Sequence, residues 1–69
     1  MNLRTRVAQN IINRRKSIGL SQETLATRAG VSRAYVGKIE NERFAVTVDI
    51  IDKIAHALDV DPAVLFERR

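Results

Sequence analysis

The stretch SQETLATRAGVSRAYVGKIE, residues 21–40, limits the possible fold more than any other part of the chain. Ser21 followed by Gln22, Glu23 and Thr24 reads as a helix N-cap with an acidic first turn, and Leu25, Ala26 and Ala29 supply a short apolar stripe that stops at Gly30. Ser32 then caps a second short helix reaching about Glu40, with Val36 and Ile39 facing inward. One glycine able to take a left-handed conformation, with Val31 pointing at the core, sets these helices, about 22–29 and about 33–40, at a steep angle. The second of them is pushed outward.

The remaining pattern is helical as well. Leu3, Val7, Ile11, Arg14 and Ile18 recur at three- or four-residue spacing, predicting a first helix from about residue 3 to a stop at Gly19. Thr47 caps a fourth helix whose Val48, Ile51, Ile54, Ala55 and Leu58 form its inward stripe, with Asp49 favourably placed in the first turn. In DVDPAVLFERR, Asp61 as cap and Pro62 at the first helical position open a last short helix. The expectation is an all-α fold: a compact bundle of five helices, without strands, repeats or linkers, forming a single domain over residues 1–69. Hydrophobic residues make up 45% and aromatics 4%, which suits an aliphatic helical core. The chain has no cysteine, so packing must replace disulfides and thiolate metal sites. No apolar run approaches the roughly 18 residues that cross a bilayer, and MNLRTR lacks the apolar stretch of a secretory signal. The expected setting is soluble and cytoplasmic, away from membranes.

Charge divides the chain. Residues 1–38 carry eight Lys or Arg against Glu23 alone, a net +7, whereas residues 39–69 carry four against seven acids, a net −3. That polarity favours a polyanion approaching the N-terminal half, and nucleic acid is the obvious polyanion; a solvated charge pattern is the plain alternative.

Around the helix at 33–40, Tyr35, Val36 and Ile39 cluster on one side and Arg33, Ala34, Gly37, Lys38 and Asn41 on the other. The second set offers water two cations, an amide, a methyl group and a glycine. Arginine can take the two acceptors of a guanine edge in a bidentate fork, alanine can touch a thymine methyl, and lysine can reach a guanine edge or a phosphate. Gly37 is unusual, because glycine inside a helix costs about 1 kcal/mol against alanine. Close approach to DNA and tight packing against the preceding helix would each account for it.

With these residues in view, LSQETLATRAGVSRAYVGKIENE and TVDIIDKIAHALDVDPAVLF together resemble the phage-lambda-repressor-like (Cro/cI, or XRE-type) helix-turn-helix proteins over about residues 7–66. The resemblance implies a five-helix DNA-binding domain, a two-fold dimer on a pseudo-palindromic operator, and the third helix in the major groove. It places Arg33, Ala34 and Lys38 at base-reading positions, Gln22 at a phosphate while bracing the recognition helix, and Asn41 on the DNA backbone. It also pairs Arg15 with Glu40 in a partly buried salt bridge. The chain departs from the pattern at Glu42, where many relatives carry glycine, at Phe44 in place of a basic residue, and at Val46 in place of proline. Glu42 would be repelled by phosphates, so Arg43 is expected to make that loop's contact, and Phe44 is expected as a core plug or partner surface. The Val-Thr-Val entry to the fourth helix, with Arg-Ala-Tyr-Val in the third, is similar to the controller proteins of restriction–modification systems.

The other chemistry-bearing residues read plainly. His56 and Asp52 give two possible ligands without a third, a poor metal site, and Asp49, Asp52, Asp59 and Asp61 lie on caps and surfaces without a nucleophile motif. No enzyme, metal or cofactor is expected. Arg14 and Lys16 are expected as solvated charge. Val60, Val64, Leu65 and Phe66 offer more apolar surface than one short helix can hide, so part should meet a second copy; Val64, Leu65 and Phe66 are assigned to that contact, with Leu65 or Phe66 sealing the core. The expectation is therefore a dimeric, sequence-specific transcriptional regulator that occupies operator DNA and either blocks or recruits RNA polymerase. Arg33, Ala34 and Lys38 read bases, and Gln22, Ser32, Tyr35, Asn41, Arg43 and Thr47 grip phosphates. The alternatives are an antitoxin-like or other protein-interaction module, working mainly through its apolar C-terminal helix, and a small phage repressor.

Overall fold

The computed structural model describes residues 2–43 and 46–68. Among them lie four α-helices, α1 (Leu3–Ser17), α2 (Gln22–Ala29), α3 (Arg33–Glu40) and α4 (Val48–Ala57), followed by a 3-10 segment, Pro62–Phe66. No strand occurs among the described residues. The expected count of five α-helices is thus corrected to four. Five residues cannot close enough i→i+4 bonds to repay α-helix nucleation, so the last element stays in the tighter form.

Each helix begins on a side chain that accepts a backbone N–H otherwise left unpaired. Ser21 Oγ accepts from Thr24 N at 3.0 Å, Ser32 Oγ from Tyr35 N at 3.0 Å and Thr47 Oγ1 from Ile50 N at 3.1 Å. Asp61 opens the 3-10 segment in the same way, with Ala63 N at 2.8 Å. Asn2 caps α1 through Thr5 N at 2.9 Å, a start that the basic N-terminal sequence does not advertise.

The four α-helices also end alike. In each, an N–H just past the helix bonds back to the carbonyl five residues before it: Leu20 N to Arg15 O, Val31 N to Ala26 O, Arg43 N to Lys38 O and Val60 N to Ala55 O, all at 2.8–3.1 Å. This closure needs a left-handed residue just before the donor. Gly19 and Gly30 supply it for α1 and α2, whereas Glu42 (φ 62°) and Asp59 (φ 57°) do so for α3 and α4 against the steric preference of an L residue. Leu20, Val31 and Val60 follow these left-handed residues and fold back onto the core as partly buried side chains. After α3 the corresponding residue is Arg43, which is exposed. The chain therefore leaves α3 facing water.

The core gathers Val7 and Ile11 of α1, Leu25, Ala26 and Ala29 of α2, Val36 and Ile39 of α3, and Ile51, Ile54 and Ala55 of α4. Ala57, Leu58 and Leu65 complete it. Leu65 is fully buried, with 0% exposure, so its assignment to a contact between copies is corrected: its side chain is used up inside the protomer. Asn10 of α1 holds the segment that carries it, donating Nδ2 to Leu65 O at 2.9 Å and to Glu67 O at 2.8 Å. Arg14, expected as solvated charge, is instead half-buried and donates Nε to Leu58 O at 3.0 Å. A cation there satisfies a carbonyl at the end of α4 and complements the negative pole of that helix. Val48, expected on the inward stripe of α4, is 84% exposed. Phe44 lies outside the described residues.

Truncating Leu65 tests how much the C-terminal segment contributes. Leu65→Ala should lower unfolding stability by about 2–5 kcal/mol in denaturant titration, whereas a residue that merely covered the surface would change it by less than about 0.5 kcal/mol.

Candidate nucleic-acid interface

The orientation of α3 rests on one carboxylate. Glu40, in the last turn of α3, is buried at 8% exposure. It accepts Arg15 Nε at 2.7 Å and Arg15 Nη2 at 3.1 Å from α1, and Gln22 Nε2 at 2.9 Å from α2. Arg15 also donates Nη1 to Leu20 O at 2.9 Å. The guanidinium fork matches the carboxylate in two parallel bonds, the geometry in which such pairs are strongest. Both side chains are withdrawn from water, at 11% and 5% exposure. Three helices thus meet at a single anion whose charge is paired and whose oxygens are occupied.

Glu40, Val36 and Ile39 are buried, while Arg33, Ala34, Lys38 and Asn41 are exposed. Spacings of three and four residues put this second group on one flank of the helix. Arg43, just past the end of α3, is exposed too. Tyr35 is half-buried against the core. Flanking this surface, Gln22 presents one N–H to Glu40 and retains its second, since a side-chain amide carries two. Ser32 and Thr47 are exposed with their oxygens engaged as caps, and each hydroxyl hydrogen can still be donated.

Glu42 is drawn away from that surface. Its carboxylate accepts the hydroxyl of Thr5 at 2.5 Å, which ties the exit of α3 to the first turn of α1 and leaves Glu42 half-buried. No signal in the sequence marks this bond, because its partners are 37 residues apart. Val64 is half-buried beside α1, and Phe66 is 39% exposed. Two apolar residues that the sequence pattern places on the inward stripes are exposed: Leu3, at 55%, and Val48. Both occupy the first turn of a helix, where the apolar stripe runs past the core it would cover.

Among the described residues no group of three or more His, Cys, Asp or Glu could hold a metal ion. No helix of the described residues is long and apolar enough to cross a membrane.

Comparison with known proteins gives one family and several close shapes. Residues 11–65 match the helix-turn-helix family model. A hypothetical transcription factor of Neisseria meningitidis is 40% identical over 58 residues, 84% of this chain, although the chain spans only 55% of that protein's length. The restriction-modification controller protein C.AhdI of Aeromonas hydrophila superposes with a TM-score of 0.88 at 41% identity, covering 91% of this chain and 96% of that one. The protein C.Esp1396I bound to a 25-base-pair operator site superposes with a TM-score of 0.87 at 29% identity, over 96% and 87% of the two chains.

Removing one partner of the Glu40 network strands the other in a dry site. Glu40→Ala should cost about 3–5 kcal/mol of unfolding stability, whereas replacing the pair together, Arg15→Met with Glu40→Leu, should cost much less. Equal losses in the single and double variants would mean that the charges do not depend on each other.

Proposed function

The chain belongs to the helix-turn-helix family, and from that premise we propose that it is a sequence-specific DNA-binding transcriptional regulator which inserts α3 into the major groove of an operator. One observation carries this reading. A single flank of α3 presents Arg33, Ala34, Lys38 and Asn41 to solvent, while the opposite flank is fixed by the core and by the Glu40 network. A rigid helix of about 12 Å width bearing such groups fits the major groove.

The roles follow from reach and chemistry. Arg33 is assigned to a guanine edge through its two-pronged donor, Lys38 to a guanine edge or a flanking phosphate, and Ala34 to a thymine methyl. Gln22, Ser32, Tyr35, Asn41, Arg43 and Thr47 hold phosphates on either side, setting register without reading sequence. The N-terminal half, with its net +7 charge, faces the duplex and the acidic half faces away.

A protomer with a longest dimension of 28 Å cannot span two half-sites about 34–36 Å apart. The operator reading therefore calls for a pair of protomers. Leu3, Val48 and Phe66 line one groove of 580 Å³ together with Val46 and Pro62, and Arg4, Asp49 and Asp52 line it as well. In a two-fold pair each copy would meet the same patch of the other, apolar on apolar and Arg4 across from the acids. This assigns Phe66 to the contact and adds Leu3 and Val48, whereas Val64 lines a separate hollow with Asn10 and Arg14. The likeness to C.AhdI supports a narrower reading as the controller of a restriction–modification system, acting on its own promoter by blocking or recruiting RNA polymerase.

Quantitative titration on the duplex footprinted upstream of its own gene, and on a scrambled duplex, tests base reading. Arg33→Ala should cost roughly 1–3 kcal/mol on the footprinted site and far less on the scrambled one, and wild-type affinity should fall steeply with salt as counterions are released. Equal losses on both duplexes would rule out base reading by Arg33. For the pair of protomers, Val48→Glu should leave the fold intact, because the residue is already in water, yet shift sedimentation to the monomer and weaken operator binding; an unchanged dimer would place the contact elsewhere.

A further inference from the structure

Gly37, itself half-buried, lies between the exposed residues of that flank of α3, four residues after Arg33 and four before Asn41. Glycine is retained in a helix interior against the preference for alanine, since it loses more backbone freedom on folding and has no side chain to pack. Three constraints commonly explain such a residue. A left-handed backbone is one, but among the described glycines only Gly19 and Gly30 have positive φ. Crowding by a neighbouring element is the second, yet a Cβ built on Gly37 meets nothing within 4 Å. The third is a body outside the protomer that needs the space.

We propose that Gly37 is a specificity-determining residue: its missing Cβ lets the backbone of α3 seat against base edges on the floor of the major groove. This rests on the operator reading above. Side chains at 33, 34, 38 and 41 surround position 37, so a methyl group there would fill the gap between them into which a base edge has to fit. It would hold the helix axis away by up to about one C–C bond length, 1.5 Å. Donors that must lie within about 3.2 Å of their acceptors do not tolerate such a lift. Arg33 would lose its bidentate geometry on a guanine edge although it makes no contact with residue 37. Phosphate contacts, made by long or loop-borne side chains at the periphery, adapt more easily.

The inference separates folding from recognition, because the same methyl group should help one and harm the other. Gly37→Ala should raise the melting temperature of the free protein by roughly 4–8 °C, from the better helix propensity of alanine in a domain of this size. Its affinity for the footprinted duplex should fall by at least about tenfold, while affinity for a scrambled duplex stays within about twofold. Gly37→Ser should show the same loss on the footprinted duplex. A melting temperature that falls would mean that the glycine serves the fold, and operator affinity that holds in Gly37→Ala would mean that nothing approaches the helix there; either overturns the inference. If wild-type protein itself fails to distinguish the two duplexes, the operator reading fails and the role of Gly37 goes with it. A wild type that discriminates beside a Gly37→Ala variant that discriminates equally overturns the role of Gly37 alone.

Discussion

A charge taken out of water must be answered by another, and in this chain that requirement is met at Glu40. Its carboxylate receives three hydrogen bonds from two other helices, so the pitch and roll of α3 relative to α1 and α2 are set by directional bonds as well as by core packing. Packing alone tolerates small rotations, since apolar contacts have no preferred direction. A bidentate ion pair with an added amide does not. The exposed flank of α3 inherits this fixed orientation, and a surface that reads hydrogen-bond edges needs just such a fixed platform.

The helix ends divide into what residue types announce and what they conceal. Ser21, Ser32, Thr47 and Asp61 are legible as caps because few residue types do that work, and Gly19 and Gly30 are legible as stops for the same reason. Glu42 and Asp59 make the same left-handed closures, but nothing local singles them out. The surrounding structure imposes the conformation: Thr5 holds Glu42 from the far side of the fold. The last element misled for a related reason. Asp61 and Pro62 mark a helical start correctly, yet the carbonyls beyond are claimed by Asn10, and too few residues remain for an α-helix.

Periodicity proved a good guide to the middle of each helix and a poor one to its first turn. Ile11, Leu25, Val36, Ile54 and Leu58 are all essentially inaccessible to water, whereas Leu3 and Val48, in phase with those stripes, are exposed. A repeat of 3.6 residues reports direction around the helix axis but not whether anything lies opposite. Arg14 shows the converse. It falls in phase with the apolar face of α1 and is half-buried there, its head on the Leu58 carbonyl. On α3, which residues share a flank was readable from spacing alone, while the reason for Gly37 was not: empty space around an absent atom leaves no trace in a linear pattern.

The bonds from Asn10 to the carbonyls of Leu65 and Glu67 join residues 55 and 57 positions apart. Protein is synthesised from the N-terminus, so α1 leaves the ribosome well before the segment that packs against it and α4 and buries Leu65. Until that segment arrives, the nascent chain leaves aliphatic surface of α1 and α4 uncovered. Full packing of the helices is thereby tied to the arrival of the segment around Leu65, and fragments that stop short of it should be loosely folded.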